Sequence, residues 1–299
     1  MTEDEFTAYQ SLGEETEDHR WAFGTGFTDP LEGIGPSVPG GVDAAALAAY
    51  CLMLGDDALV YSHRLQQWMT RMPELEEETA LANIALDLLG QARMLLARAG
   101  QAEGAAADGT GRDEDRLAFF RDEHEFRNVR LAEHLDADFA ELTGRLLVFS
   151  AWRLALCTHL ASAADPVLAA IAAKSARELA YHRDYAAQWV IRLGDGTPLS
   201  HGKMQAALEA IWPLAGELFQ PDPVSARLPG VAVDPADLRG EVDAVLDAVL
   251  AEATLSRPGA APLARVAGQA GRDGVHTEGF GYLLAELQSL ARAHPDATW

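Results

Sequence analysis

The segment "ARELAYHRDYAAQWV", residues 176–190, lies within a long helical pattern in the sequence. Around it, apolar and selected polar residues recur every three or four positions, which places them on one face of an α-helix. Asp165 and Pro166 predict where this helix begins, because aspartate caps helices and proline at the first helical position loses no needed N–H. Gly194 predicts its end, directly after Leu193. The stripe on this face comprises Leu168, Ile171, Ser175, Glu178, His182, Tyr185 and Trp189.

The same periodicity predicts three more long helices before this one. The first covers 43–72 and ends before Pro73, the second covers about 77–99 and stops at Gly100, and the third covers about 138–162. Shorter helices are predicted at about 200–219 with Ser200 as cap, at 235–256 and at 277–293 with Thr277 as cap. No segment alternates convincingly as a strand would.

The connections between these helices predict the topology. Helices 1 and 2, and likewise helices 3 and 4, are joined by a few residues, so each pair should be antiparallel neighbours. Nearly forty residues separate helices 2 and 3. Two antiparallel pairs with one long crossover are typical of a ferritin-like four-helix bundle. We therefore predict an all-α protein, a ferritin-like four-helix bundle with additional C-terminal helices.

The first 40 residues differ from the rest in composition. They contain nine acidic residues and one arginine, followed by a run rich in glycine and proline. This predicts a disordered N-terminal tail over 1–40 and a ferritin-like helical domain over 41–299. Aromatic residues in the tail leave open a segment that docks on a partner or on its own bundle.

Charge and cysteine content exclude several classes of protein. The chain has 23 basic and 46 acidic residues, a formal net charge of −23, which disfavours binding to nucleic acid or to an anionic membrane surface. Cys51 and Cys157 lie in apolar helical patterns, as free buried thiols do, so a reducing cytoplasmic location is expected. We find neither a signal peptide at the N-terminus nor an apolar run of the ~18 residues that a membrane span needs.

A ferritin-like bundle raises the question of a di-metal centre. Active centres use one carboxylate from each of two helices and a Glu-x-x-His motif from each of the other two. None of the nine histidines has a glutamate three positions before it. Where the motif should lie, Gly90 stands three residues after Asp87, and Tyr181 stands three residues after Glu178. We therefore predict no catalytic residue, no cofactor and no metal in this chain.

The polar residues in the predicted core still need partners, because a buried unpaired charge is costly. Asp57, Asp87, Glu178 and His182 are the candidates for a degenerate metal site. The alternative is a buried polar network in which Arg153, or another cation, supplies the positive charge that a metal would otherwise supply. The sequence leaves both interpretations open.

Several stretches carry a resemblance to a known family. The chain resembles the PaaC family, the structural ferritin-like subunits of bacterial phenylacetyl-CoA monooxygenase (1,2-phenylacetyl-CoA epoxidase), over roughly 45–299. The stretches are "YCLMLGDDALVYSHRLQQW", "PELEEETALANIALDLLGQARMLL", "LAFFRDEHEFRNVRLAEH", "KSARELAYHRDYAAQWVIRLGDGT" and "GVHTEGFGYLLAELQ".

The resemblance implies a role in aerobic phenylacetate degradation. It implies that this chain is a non-catalytic subunit that scaffolds a homologous PaaA-type catalytic subunit, which holds the di-iron centre. It also implies a small PaaB-type subunit and a reductase with flavin and an iron–sulfur cluster. An independent di-iron or manganese oxidase, or a helical binding module without a redox role, are the alternative functions.

Overall fold

Helices supply nearly all of the regular structure in the computed structural model, which describes residues 31–107 and 109–297. The chain divides into two units, Met1–Glu32 and Gly33–Trp299. Residues 1–30 of the predicted tail lie outside the described residues, and the architecture below concerns the second unit alone. Its helices are α1 (Ala44–Gln66), α2 (Leu75–Ala106), α3 (Glu114–Phe119), α4 (Arg130–Glu133), α5 (Phe139–Leu160), α6 (Pro166–Gly194), α7 (Pro198–Ala215), α8 (Arg239–Glu252) and α9 (Glu278–Ala293).

Helix α6 begins where the sequence predicts. Pro166 occupies the first turn, and the Asp165 carboxylate accepts a hydrogen bond from the backbone N–H of Leu168 at 2.8 Å. A second role for Asp165 was not predicted: its carboxylate also forms a fully buried ion pair with Arg98 of α2. The cap of α6 is thereby joined to the neighbouring helix.

The four long helices form the predicted bundle. Helix α1 packs along α2, α5 packs along α6, and α2 packs against α6. Helices α1 and α5 are joined by side chains, with the rings of Tyr61 and Phe149 4.3 Å apart between their centroids. The all-α, ferritin-like prediction is confirmed, and the only β-type pairing within the described residues is one isolated bridge, between Val266 and Gln269.

The remaining helices cover two sides of the bundle. Helices α7 and α8 pack on α5 and α6, whereas α9 packs against α1, α3 and α4. The crossover between α2 and α5 is held to α1 by a buried ion pair. Arg121 of the crossover pairs with Asp56, with the two side chains 2% and 0% exposed. Because both charges are desolvated together, this contact fixes where the crossover lies.

Three predicted helix boundaries were wrong: α1 ends at Gln66, several residues before Pro73, and the other two differ for identifiable reasons. Helix α2 continues through Gly100 to Ala106. Gly100 permits a close backbone approach instead, since a Cβ built there would lie 1.8 Å from the carbonyl oxygen of Arg112. At α7 the cap is Thr197, and Ser200 is its reciprocal partner in a capping box.

Within the described range, helices α1 and α2 are long and apolar enough to cross a membrane by length and composition alone. In α1, 78% of the most apolar window is buried inside the bundle. Core helices of globular proteins pass the same test, and α1 carries two buried aspartates in ion pairs. We interpret both helices as core helices.

Candidate functional site

Asp57, on α1, is turned toward the crossover and the C-terminal segment. Its carboxylate accepts hydrogen bonds from Arg272 Nη1 at 3.0 Å, from Arg272 Nη2 at 2.8 Å and from the Val129 backbone N–H at 2.8 Å. Burial raises the pKa of the Asp57 carboxyl, and the Arg272 guanidinium offsets part of that effect. The acceptor capacity of Asp57 is therefore used by the protein itself.

Asp87 and His182 form one polar contact between α2 and α6. His182 Nε2 lies 2.9 Å from Asp87 Oδ2, with the imidazole fully buried and the carboxylate 36% exposed. The other ring nitrogen, Nδ1, is buried without a hydrogen-bond partner among the described residues. The aspartate at the rim of the bundle thus holds a histidine that faces inward.

Gln91 and Glu178 form a second contact between the same helices. Gln91 Nε2 donates to Glu178 Oε2 at 3.0 Å, and Lys174, one turn earlier on α6, forms an ion pair with Glu178. The pair lies one turn along from Asp87 and His182 on both helices, as expected for antiparallel neighbours. Glu178 and His182 therefore share a face of α6 but bind different residues.

Arg153 connects this arrangement to the other two helices. From α5, its Nε donates to Gln91 Oε1 at 3.1 Å, and its Nη2 donates to the carbonyl oxygen of Leu54 on α1 at 3.1 Å. Arg153 is 1% exposed. A continuous chain of polar contacts therefore runs from α1 through Arg153, Gln91 and Glu178 to α6, with a guanidinium in its interior.

The two positions where a ligand histidine would be needed do not supply one. A Cβ added at Gly90 would meet no packed neighbour within 4 Å, so this position borders open space. Tyr181 is 52% exposed and lies on the outside of α6. Together with Asp57, which is bound by Arg272, and with the interior Arg153, these residues do not fit a di-metal centre. A guanidinium beside divalent cations would be strongly repelled.

A different group of possible metal ligands lies at the start of α5. One ligand atom from each of His134, Asp136 and Glu141 falls within 4.8 Å of the others. Both Asp136 oxygens, however, accept hydrogen bonds from the buried Arg145, at 2.7 and 2.5 Å. The carboxylate that a metal would need is already neutralised by a fixed cation.

The sequence offered Arg153, or another cation, as a possible neutralising charge, but it did not identify the buried arginines that neutralise most of the core carboxylates. Arg98, Arg121 and Arg145 are each at most 2% exposed and each pairs with an aspartate. The sequence indicates two of these arginines, because Arg98 and Arg145 interrupt otherwise apolar helix faces. It does not indicate their partners, because the paired aspartates are contributed by other segments of the chain.

Two comparisons with known proteins agree with this architecture. The model of the phenylacetic acid catabolic protein family matches residues 39–299. One subunit of the 1,2-phenylacetyl-CoA epoxidase of Escherichia coli (strain K12) is 44% identical over 255 residues, which cover 85% of this chain and 99% of that relative.

Proposed function

This chain belongs to the family of phenylacetic acid catabolic proteins, and on that premise we propose that it is the structural subunit of a multicomponent phenylacetyl-CoA 1,2-epoxidase. In this role it scaffolds a homologous catalytic subunit and does not itself perform the epoxidation. The proposal is supported by the match to the Escherichia coli epoxidase subunit along nearly the whole length of that relative.

The interior position of Arg153 is the observation that carries the non-catalytic role. In an active bundle of this kind, carboxylates and histidines converge on metal in the core. Here the core carboxylates and His182 are bound by protein groups, and a guanidinium lies among them. The protein's own residues thus supply the neutralising charge, which supports a bundle kept for its shape.

The remaining components follow from this assignment. The di-iron centre belongs to a PaaA-type catalytic subunit that forms a heteromer with this chain. A PaaB-type small subunit and a reductase with flavin and an iron–sulfur cluster complete the system. We place the complex in the cytoplasm, which agrees with an acidic chain whose two cysteines are free and buried.

Co-expression with a PaaA-type subunit tests the proposal. We expect a stable complex that converts phenylacetyl-CoA to its epoxide when reductase, NADPH and O₂ are supplied. Omission of this chain should abolish or strongly reduce turnover. Normal epoxidation without this chain, or failure of the two subunits to copurify, would contradict the scaffold role and favour a helical binding module.

Two further measurements separate the scaffold from an independent oxidase. Iron and manganese in the purified chain should stay far below the two ions per chain that a di-metal centre requires.

Glu178→Ala should lower the stability of the chain or the yield of complex, and the complex that does assemble should keep its turnover. Arg177→Ala, at the exposed neighbouring position, is the matched control. Loss of turnover in Glu178→Ala with unchanged assembly and melting temperature would indicate catalysis.

A further inference from the structure

His276, in the coil directly before α9, has a fully buried side chain that contacts the crossover between α2 and α5. Its Nδ1 lies 2.8 Å from Oε2 of Glu133 in α4, and its Nε2 lies 3.2 Å from the carbonyl oxygen of Phe126. The ring also packs against Phe280 of α9, with the two ring centroids 4.3 Å apart. One side chain therefore joins the start of α9 to two points of the crossover.

The Glu133 carboxylate is a buried anion. Its Oε1 accepts a hydrogen bond from the backbone N–H of Thr277, and its Oε2 accepts from Asn128 Nδ2 at 2.9 Å as well as from His276. Since N–H donors bind both oxygens, neither oxygen carries a proton. Within the described residues, His276 is the one basic side chain that forms an ion pair with this carboxylate. A buried carboxylate without a counter-ion is strongly unfavourable, so the charge balance requires a cation at His276.

The two partners of the imidazole lead to the same protonation state. A neutral imidazole has one N–H donor and one bare nitrogen that accepts. Here both ring nitrogens of His276 face acceptors, the Glu133 carboxylate and the Phe126 carbonyl oxygen. A bare nitrogen in either position would face the lone pairs of an oxygen. Only the imidazolium, with two N–H donors, satisfies both contacts.

Two arginines approach this pair without competing for the carboxylate. Arg64 of α1 donates from Nε to the main-chain carbonyl oxygen of Glu133 at 2.8 Å. Arg127 of the crossover donates from Nη1 to the Phe126 carbonyl oxygen at 2.8 Å. That oxygen has two lone pairs and can accept from Arg127 and His276 together. Both guanidinium groups thus bind main-chain oxygens, and the Glu133 carboxylate is left to the imidazole.

We propose that His276 is held as an imidazolium and that its proton fastens residues 271–293, the C-terminal segment, to the crossover. Loss of the proton leaves Glu133 without its buried counter-ion and turns a bare nitrogen toward an oxygen. The C-terminal segment should therefore open more readily as the pH rises. This proton-dependent contact lies outside the interior polar contacts of the four long helices and does not depend on the proposed scaffold function.

Nitrogen-15 NMR of the full-length chain with labelled histidine tests the protonation state directly. The His276 ring is assigned through its contacts with the Phe280 ring, which needs no variant. At pH 7.5, where a free histidine is mostly neutral, both His276 nitrogens should carry a proton. In Glu133→Gln, which keeps the shape of the side chain but removes its charge, the His276 ring should carry one proton.

Hydrogen exchange of the α9 amides tests the mechanical consequence. An opened segment releases the proton, because a free imidazole is half-protonated near pH ~6.5. Each pH unit above that value should therefore lower α9 protection, corrected for intrinsic exchange, by up to about tenfold. His276→Gln should lower α9 protection at pH 6.5 by about tenfold and remove its dependence on pH. His294→Gln, at the exposed end of the same helix, is the matched control and should leave both unchanged.

Two results would overturn the proposal. The first is a single ring N–H on His276 of the parent chain at pH 7.5. The second is α9 protection that is the same at pH 6.5 and pH 8.5 in the parent chain. The NMR measurement and this exchange comparison use the parent chain, so both decide the matter even where a variant does not fold.

Discussion

Arg153 of α5 donates from Nε to Oε1 of Gln91 of α2 over 3.1 Å, in the interior of the four-helix bundle. The amide of Gln91 is thereby fixed with its oxygen toward the guanidinium and its nitrogen toward Glu178. The neutral amide of Gln91 thus hydrogen-bonds to a buried cation on one side and to a carboxylate on the other. This relationship links the charges of Arg153 and Glu178 in the bundle interior.

Arg153→Met should lower the free energy of unfolding by about 1–3 kcal/mol. The variant leaves Gln91 Oε1 buried without a donor, and such a loss costs about 1–3 kcal/mol, whereas the Leu54 carbonyl oxygen keeps its helical hydrogen bond within α1. Chemical denaturation of the parent and the variant measures the difference. Arg93→Met, whose arginine side chain is 75% exposed on α2, should change stability by no more than about 0.5 kcal/mol. Similar stability of the parent and Arg153→Met would mean that the interior contacts contribute nothing net.

Double-mutant cycles should reveal which polar residues are coupled. Asp87→Ala and His182→Ala should couple by about 0.5–1 kcal/mol, at the low end for a contact because Asp87 is partly exposed. Gln91→Ala and Glu178→Ala should couple by about 0.5–3 kcal/mol. Glu178→Ala and His182→Ala should be additive within about 0.5 kcal/mol. Strong coupling of this last pair would contradict the two separate contacts.

Two glycines of the same helix should respond in opposite directions to alanine. Gly90→Ala should raise the free energy of unfolding by about 0.5–1 kcal/mol, because alanine is the better helix former and its Cβ meets nothing within 4 Å. Gly100→Ala should destabilise the protein by about 2 kcal/mol or more, because its Cβ would clash with the Arg112 backbone. Thermal denaturation of both variants decides the matter. A destabilised Gly90→Ala would show that the position needs glycine for another reason.

The two cysteines should be unreactive in the folded chain. Burial raises the pKa of the Cys51 thiol to about 12 and that of Cys157 to about 11, so almost no thiolate exists at pH 8. Mass spectrometry after iodoacetamide treatment should find no alkylation of the native protein and alkylation of both thiols after unfolding. Rapid labelling under native conditions would argue against deep burial of the thiols.

Since the unfolded thiols ionise near pH 9 and the folded ones do not, the free energy of unfolding should also fall as the pH rises above about 9.

Stability should also fall on the acid side of neutrality. Burial, and next the Arg145 guanidinium, lower the pKa of His134 from its ordinary 6.5. The unfolded chain therefore binds a proton at a higher pH than the folded chain does, and stability is lost as the pH falls below about 6.5. His134→Gln should flatten this part of the stability profile, whereas His294→Gln, at an exposed position, should not. An unchanged profile for His134→Gln would assign the acid sensitivity to other groups.

Local chemistry made several features of the fold predictable from the sequence. The start of α6 follows from Asp165 and Pro166. The aspartate side chain caps the first turn of the helix, and the proline ring fixes the backbone conformation there. The long helices follow from apolar residues every three or four positions, and the topology follows from two short connections and one long one. The absence of Glu-x-x-His is a property of the sequence alone and needs no coordinates. Helix ends were less predictable, because Gly100 serves a contact with the distant Arg112 and does not cap α2.

The pairing of the polar residues depends on tertiary packing. Spacing placed Glu178 and His182 on one face of α6, but residues one turn apart on a face project toward the neighbouring helix as readily as toward each other. Helix α2 offers each of them a separate partner, Gln91 for Glu178 and Asp87 for His182. Asp57 is likewise bound by Arg272, 215 positions along the chain. Periodicity fixes the face on which a side chain lies, whereas its partner depends on how distant segments pack and on which buried charges they bring.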